Sequence, residues 1–85
     1  MIYVCTSFEG KPFEGVCVKS ENGVMWIASP VGILKMVEGK PQSILNLSKA
    51  DEEGINPLDV NKALLYIRSR IAGIERDRIK GLMTH

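Results

Sequence analysis

The chain has 85 residues, of which 45% are hydrophobic and 25% are charged, and its formal net charge is +1. These values are typical of one folded domain and exclude a disordered chain. The longest apolar run covers residues 24–28, far fewer than the roughly 20 residues that cross a bilayer, so we expect no membrane contact. Residues 1–5 lack the basic start and apolar stretch of a signal peptide. We therefore expect a cytoplasmic protein.

The first half of the sequence predicts an antiparallel meander of about five strands. Glu-Gly-Lys-Pro occurs at residues 9–12 and again at 38–41, each time between two runs of β-forming residues, and predicts a turn. Asn22 and Gly23 form the pair that favours a tight type I′ hairpin turn. Pro30 and Gly32 break the chain between the third and fourth strands. The strands are expected at residues 2–8, 13–19, 24–29, 33–37 and 43–47.

The second half predicts a helix that begins near Asn56. Asn56 is a favourable N-cap residue, Pro57 suits the first helical position, and Asp59 places a carboxylate in the first turn. The apolar residues that follow recur every three or four positions and predict one buried face. They are Val60, Ala63, Leu64, Ile67, Ile71 and Ile74.

An unbroken helix would place Arg78 in line with this apolar face, where an unpaired charge is costly to bury. We expect a kink or a break at Ala72 and Gly73, because glycine is a poor residue in a helix interior. In the alternative, the helix runs past the body of the domain and leaves Arg78 in water. The expected fold is thus α+β, a single domain over residues 1–85. An antiparallel meander of about five strands is followed by a C-terminal kinked helix or two short helices packed on one face.

Catalytic patterns are missing from the sequence. The one histidine is the terminal residue His85, and no pair of carboxylates has a spacing that is typical of general acid and base catalysis. We therefore expect no enzymatic activity. Cys5 and Cys17 are expected to be free thiols, with a disulfide as the alternative, because strand register decides whether they share a face. Their spacing does not predict a zinc site.

Three consecutive carboxylates, Asp51, Glu52 and Glu53, precede the predicted helix. Carboxylate oxygens are hard ligands that suit calcium, and Asp59 would add a fourth. The spacing does not fit the EF-hand loop, because glycine falls at its fourth position and lysine at its twelfth. We expect this segment to be a solvated acidic turn beside a helix N-terminus, with Ca²⁺ binding as the alternative hypothesis.

Basic residues concentrate near the C-terminus. Residues 1–60 hold five basic and eight acidic residues, a net charge of −3, whereas residues 61–85 hold six basic and two acidic residues, a net charge of +4. On an unbroken helix Lys62, Arg76 and Lys80 lie on the side opposite the buried face, with Arg68 and Arg70 at its flanks. Together with Arg78, they are the basic residues that we predict to contact a partner. Nucleic-acid binding is a further alternative, weakened by Glu75 and Asp77 within the run and by the acidic sheet half.

A second apolar pattern recurs every seven residues, on a side of the helix different from the buried face. It consists of Leu58, Leu65, Ala72 and Ile79. Such a pattern is typical of a surface that meets another helix, although single exposed leucines are common. We predict a small non-enzymatic binding or assembly module that acts through its C-terminal helical surface, with a protein partner or a second copy of the chain as its target.

Overall fold

The computed structural model describes the backbone of residues 2–83 and the side chains of residues 2–70. It has five strands and two helices, an α+β arrangement that confirms the predicted fold. The elements are β1 (Tyr3–Phe8), β2 (Lys11–Glu21), β3 (Val24–Ser29), β4 (Gly32–Val37), β5 (Lys40–Leu45), α1 (Leu47–Glu52) and α2 (Pro57–Met83). Every strand pairs antiparallel with its sequence neighbour, in the order β1-β2-β3-β4-β5. In the described part of the chain, no helix combines the length and the apolar character needed to cross a membrane.

Two-residue turns with positive φ join three of the four hairpins. Glu9 and Gly10, Asn22 and Gly23, and Glu38 and Gly39 lie between paired strand ends, and all six residues have φ between 50° and 80°. Positive φ at both central positions defines the type I′ turn, whose twist matches that of the strands. The three predicted turns are therefore confirmed in place, at residues 9–10, 22–23 and 38–39. The Lys-Pro pairs at residues 11–12 and 40–41, which the sequence assigns to the turns, belong to β2 and β5.

The fourth hairpin turns at Pro30 and Val31. The Ser29 hydroxyl accepts a hydrogen bond from the Val31 amide, with an N···O distance of 3.2 Å, and donates to the Gly32 carbonyl at 2.9 Å. A short side-chain hydroxyl can thus replace backbone hydrogen bonds in a turn. Ser29 is a buried polar residue of the sheet, and this arrangement gives its hydroxyl two hydrogen-bond partners.

The sheet is apolar on both faces. One face packs under the helices and forms the larger core cluster, whose buried members are Val16, Trp26, Ala28, Ile33, Ala50, Ile55, Val60, Ala63 and Ile67. The opposite face carries a second cluster of buried residues, Phe13, Ile27, Leu34 and Met36. Alternate residues of a strand point to opposite faces, so β2, β3 and β4 supply both clusters.

The backbone of β2 lies close to β3 at Gly15. A Cβ atom at Gly15 would overlap the Ala28 carbonyl oxygen and would lie 2.7 Å from the Ile27 Cγ2 atom. Only glycine allows two backbones to approach this closely without displacement of one of them. The pairing of β2 with β3 beside the second apolar cluster therefore requires glycine at this position.

We expect Gly15→Ala to lower the free energy of unfolding by about 2 kcal/mol, because the added methyl group forces the strands apart. Urea denaturation measures this change. Gly73→Ala is the matched control. Among the described residues, no atom beyond its helix neighbours lies within 4 Å of the position that its methyl group would take, so stability should rise by about 0.5–1 kcal/mol. Equal effects of the two substitutions would contradict the close approach at Gly15.

The helices differ from the sequence-based expectation in where they divide. The boundary between two helices lies at residues 53–56, whereas α2 is a single helix through Ala72 and Gly73, where the sequence predicts a break. The sequence pattern does not predict helix α1. Its N-cap is Asn46, whose Oδ1 atom accepts a hydrogen bond from the Lys49 amide at 2.8 Å.

The start of α2 and its buried face agree with the prediction. The Asn56 Oδ1 atom accepts a hydrogen bond from the Leu58 amide at 2.9 Å, and Pro57 is the first helical residue. Val60, Ala63 and Ile67 are buried against the sheet, and Leu64 is half-buried beside them. The side chains of Ile71, Ile74 and Arg78 lie outside the described residues.

Candidate functional site

The surface of α2 that faces away from the sheet exposes two leucines. Leu58 is 65% exposed and Leu65 is 61% exposed. They are seven residues apart, so they lie about 10 Å apart along the helix axis, on nearly the same side. With 100° per residue, this side is opposite the buried Ala63 and Ile67. We call Leu58 and Leu65 the outer stripe of α2.

Basic side chains flank the outer stripe. Lys62 and Arg68 are exposed. Arg70 is also exposed, and its guanidinium carbon lies 4.3 Å from the centre of the Tyr3 ring, a cation–π contact that joins α2 to β1. The predicted partner-binding residues Arg76, Arg78 and Lys80 belong to α2, but their side chains lie outside the described residues, as do those of Ala72 and Ile79.

Tyr3 connects the helix to an acidic residue of β2. The Tyr3 hydroxyl donates a hydrogen bond to the Glu14 carboxylate. This hydrogen bond raises the pKa of Tyr3, with smaller contributions from burial and from the negative charge of Glu14, while Arg70 lowers it. The neutral tyrosine is therefore favoured by the fold, so its stabilising contribution is complete below about pH 10 and is lost as the pH rises through the folded-state pKa.

We expect Glu14→Gln to lower the pKa of Tyr3, because the variant lacks the carboxylate that accepts the hydroxyl proton and repels the phenolate. Absorbance at the phenolate wavelength measures this titration, and Tyr66→Phe as the background leaves Tyr3 as the one tyrosine. A Tyr3 pKa that does not change on removal of the Glu14 carboxylate would show that the hydrogen bond does not form in solution.

The three acidic residues of the predicted loop lie at the end of α1. Asp51 and Glu52 are helical and exposed, and Glu53 is the C-cap residue. The prediction of a loop over these residues is therefore wrong. Helix α1 begins after the Asn46 cap, and Asp51 and Glu52 form part of its last turn. The chain changes direction at Gly54, where φ is 83°.

Glu53 contacts two lysines that extend from neighbouring strands. The Lys35 ammonium forms an ion pair with the Glu53 carboxylate, and the Lys19 ammonium donates to the Glu53 carbonyl oxygen at 3.4 Å. Both lysines also lie over the Trp26 ring, at 5.2 Å for Lys19 and 5.9 Å for Lys35. We call Lys19, Lys35, Trp26 and Glu53 the lysine–tryptophan cluster. The lysine–tryptophan cluster joins the C-terminal end of α1 to β2, β3 and β4.

The residues predicted to bind calcium do not converge in the structure. Asp59 lies in the first turn of α2, where its carboxylate favours the helix dipole, and is exposed. Among the residues that the structure describes, no three His, Cys, Asp or Glu side chains are grouped in a way that would hold a metal ion. Glu53 is paired with Lys35, and Glu52 pairs with Lys49 at 3.6 Å.

We expect Glu53→Gln to lower the free energy of unfolding by about 1 kcal/mol, because it leaves the partly buried Lys35 without its counter-charge. Glu52→Gln is the matched control, since Glu52 is exposed, and should change stability by less than about 0.5 kcal/mol. Thermal unfolding with and without millimolar Ca²⁺ measures both effects. A rise in melting temperature that requires Ca²⁺ and is lost in Glu53→Gln would instead support metal binding.

Two further exposed apolar residues border a groove next to the helices. Val31, in the β3–β4 turn, and Leu47, at the start of α1, lie at its edge. The groove has a volume of about 480 Å³, and Leu45, Val60 and Leu64 contribute to its lining. It is separate from the outer stripe, because Val60 and Leu64 lie on the inner side of α2.

The cysteines are free, as expected. Cys5 is exposed and Cys17 is half-buried. Cys5 pairs with Glu14 across β1 and β2, while Cys17 lies opposite Ile2. The two thiols therefore lie on opposite faces of the sheet.

The sequence pattern does not predict the lysine–tryptophan cluster. Lys35 lies directly opposite Trp26 on β4, and Lys19 lies directly opposite it on β2. The position of Lys19 depends on a register shift between Cys17 and Lys19, which inserts an extra residue in β2. A cross-strand pair becomes visible only once the hairpin register is fixed, and the turns at residues 22–23 and 30–31 supply that register.

Comparison with known proteins adds no functional information. The chain matches no protein-family model, no curated protein and no solved structure at a significant level.

Proposed function

We propose that this protein is a non-enzymatic assembly module that self-associates through the outer stripe of α2. The observation that carries the proposal is the exposure of Leu58 and Leu65 on the side of the helix opposite the sheet. A seven-residue spacing keeps two large side chains on one side of a helix, as at one of the two apolar positions of a helix–helix seam. The same spacing continues in sequence at Ala72 and Ile79.

The apolar side chains of the outer stripe are not needed by the fold. Val60, Ala63 and Ile67 already cover the sheet, so Leu58 and Leu65 add little to the buried core of one chain. Covering a leucine side chain contributes about 2 kcal/mol when water is removed from it. Two copies that pair their outer stripes would bury four such side chains, which supports a weak, concentration-dependent dimer.

The flanking charges favour protein contact over nucleic-acid contact. Lys62 and Arg68 border the outer stripe, and its two leucines lie between them on the same surface. A phosphate-binding surface needs a continuous set of basic groups, whereas leucines gain nothing from contact with phosphate. Raising the salt concentration weakens phosphate binding but screens the repulsion between two basic helices.

We expect the double variant Leu58→Glu/Leu65→Glu to weaken self-association at least tenfold, because each carboxylate would be buried against its counterpart. Light scattering coupled to size-exclusion chromatography, over concentrations from about 1 µM to about 1 mM, measures the mass relative to the 9.4 kDa chain. Added salt should leave the association of the wild-type chain unchanged or stronger.

Gln42→Glu/Ser48→Glu is the matched control. It adds two acidic side chains to exposed positions outside α2 and β1 and keeps both leucines and their basic neighbours, so it should retain self-association. If the double leucine variant has the same mass as the wild-type chain at every concentration, the proposed function is overturned. Salt-sensitive binding of an oligonucleotide that requires Lys62 and Arg68 would support the nucleic-acid alternative instead.

A further inference from the structure

The meander leaves two strands with one unpaired edge each, and the two edges differ. Strands β1 and β5 are the outer strands of the sheet. Strand β5 contains Lys40 and Pro41, and its pairing with β4 shifts register at Gln42, which has no partner residue on β4. Lysine, proline and irregular pairing are the features that prevent an edge from accepting another strand. Helix α1 follows β5 directly and packs against it.

Strand β1 has none of these protections. Its sequence is Tyr-Val-Cys-Thr-Ser-Phe, which contains no charged residue, no proline and no glycine. Its pairing with β2 is regular over all six residues. A regular, uncharged edge strand of β-forming residues is a template for the addition of another strand.

The direction of the β1 backbone groups follows from one hydrogen bond. The Cys17 amide donates to the Ile2 carbonyl oxygen at 2.9 Å, so these two residues form a hydrogen-bonded pair of the β1–β2 ladder. Hydrogen-bonded pairs alternate with non-hydrogen-bonded pairs along an antiparallel ladder. The even-numbered residues of β1 therefore direct their amide and carbonyl groups toward β2. Pro12, which has no amide hydrogen, lies opposite Ser7, in a non-hydrogen-bonded position.

The intervening residues Tyr3, Cys5 and Ser7 direct their amide and carbonyl groups away from the sheet. Among the described residues, no strand pairs with this edge. We propose that the edge of β1 pairs with the edge of β1 from a second copy of the chain, antiparallel and centred on Cys5. The two five-stranded sheets then become one continuous sheet of ten strands.

The spacing of the outward groups makes this edge complementary to itself. With Cys5 opposite Cys5 of the second copy, Tyr3 of each copy lies opposite Ser7 of the other. Each of these three residue pairs exchanges two hydrogen bonds, six in all. The facing side chains carry no charge, so no like charges meet at the two-fold axis. A partner peptide with another sequence could form the same backbone hydrogen bonds, but its pairing with β1 would not have two-fold symmetry.

The β1 surface is independent of the outer stripe of α2. It goes beyond the proposed function, because it uses backbone groups of the sheet and no residue of α2. Two different self-complementary surfaces on one chain allow assemblies larger than a dimer. Loss of one surface leaves the other intact, so the two proposals can be tested separately.

Cys5→Pro tests the β1 pairing. The proline removes the central outward amide hydrogen, and it costs no hydrogen bond within the chain because the Cys5 amide does not face β2. We expect far-ultraviolet circular dichroism and cooperative unfolding to be retained, and self-association through β1 to be lost. In the Leu58→Glu/Leu65→Glu background, the mass should fall from that of a dimer to the 9.4 kDa monomer. A dimer that persists in this background with Cys5→Pro would overturn the proposal.

Cys5→Lys is a second variant for the case in which the proline impairs folding. It keeps the amide hydrogen and places two lysines opposite each other at the two-fold axis, where like charges repel. We expect it also to be monomeric in the double leucine background. Cys5→Ser is the matched control, since it keeps both the amide and a small neutral side chain, and it should remain dimeric. Loss of the dimer in Cys5→Ser would overturn backbone pairing as the cause.

Amide hydrogen exchange of the unmodified chain identifies the register. At a concentration where the chain is associated, we expect the amides of Tyr3, Cys5 and Ser7 to exchange at least tenfold more slowly than after dilution. The amides of Val4 and Thr6, which bond to β2, are already protected in the dilute sample and should slow by a smaller factor. Equal rates for Cys5 at both concentrations would overturn the proposal. Protection of Cys5 that appears only with an added unrelated extended peptide would also overturn it, by assigning the edge to another occupant.

Discussion

The close approach of β2 to β3 at Gly15 constrains two strands that supply residues to both apolar layers. Because Gly15 has no side chain, the backbone of β2 can lie against the Ala28 carbonyl and the Ile27 side chain. The neighbouring residue Val16 points to the opposite face, where it is buried under α2. A side chain at position 15 would displace β2 from β3. It would also move Val16, which packs in the same core cluster as Val60, Ala63 and Ile67 of α2.

Most of the fold could be predicted because its strongest determinants are local. Type I′ turns require positive φ at two successive residues, and the second is glycine in all three cases. The start of α2 combines an asparagine cap with a proline at the first helical position. Hydrophobic periodicity correctly predicts that Val60, Ala63 and Ile67 are buried. These determinants act within a few residues of each other, which is the range at which a sequence is informative.

The incorrect predictions involve a short element and a single glycine. Helix α1 has six residues, fewer than two turns, so no periodic pattern distinguishes it from a loop. Its formation depends on the Asn46 cap and on burial of Ala50 against the sheet. Gly73 carries an intrinsic cost of about 1 kcal/mol in a helix. That cost is small compared with the hydrogen bonds on both sides of it, so α2 continues through Gly73.

The outer stripe of α2 could be predicted, because a seven-residue spacing is a property of the sequence alone. The lysine–tryptophan cluster could not, because it joins β2, β3, β4 and the end of α1.

The neighbour-to-neighbour order of the strands has a consequence for the folding kinetics. Each hairpin closes a short turn between strands that are adjacent in sequence, so the contact order of the sheet is low for a β structure. Low contact order is associated with fast folding, and single hairpins form within about 1–10 µs. The docking of α2 closes a longer loop, because it must bring Ile67 back to Val16, in a strand near the start of the chain. We therefore expect the sheet to form before α2 packs on it.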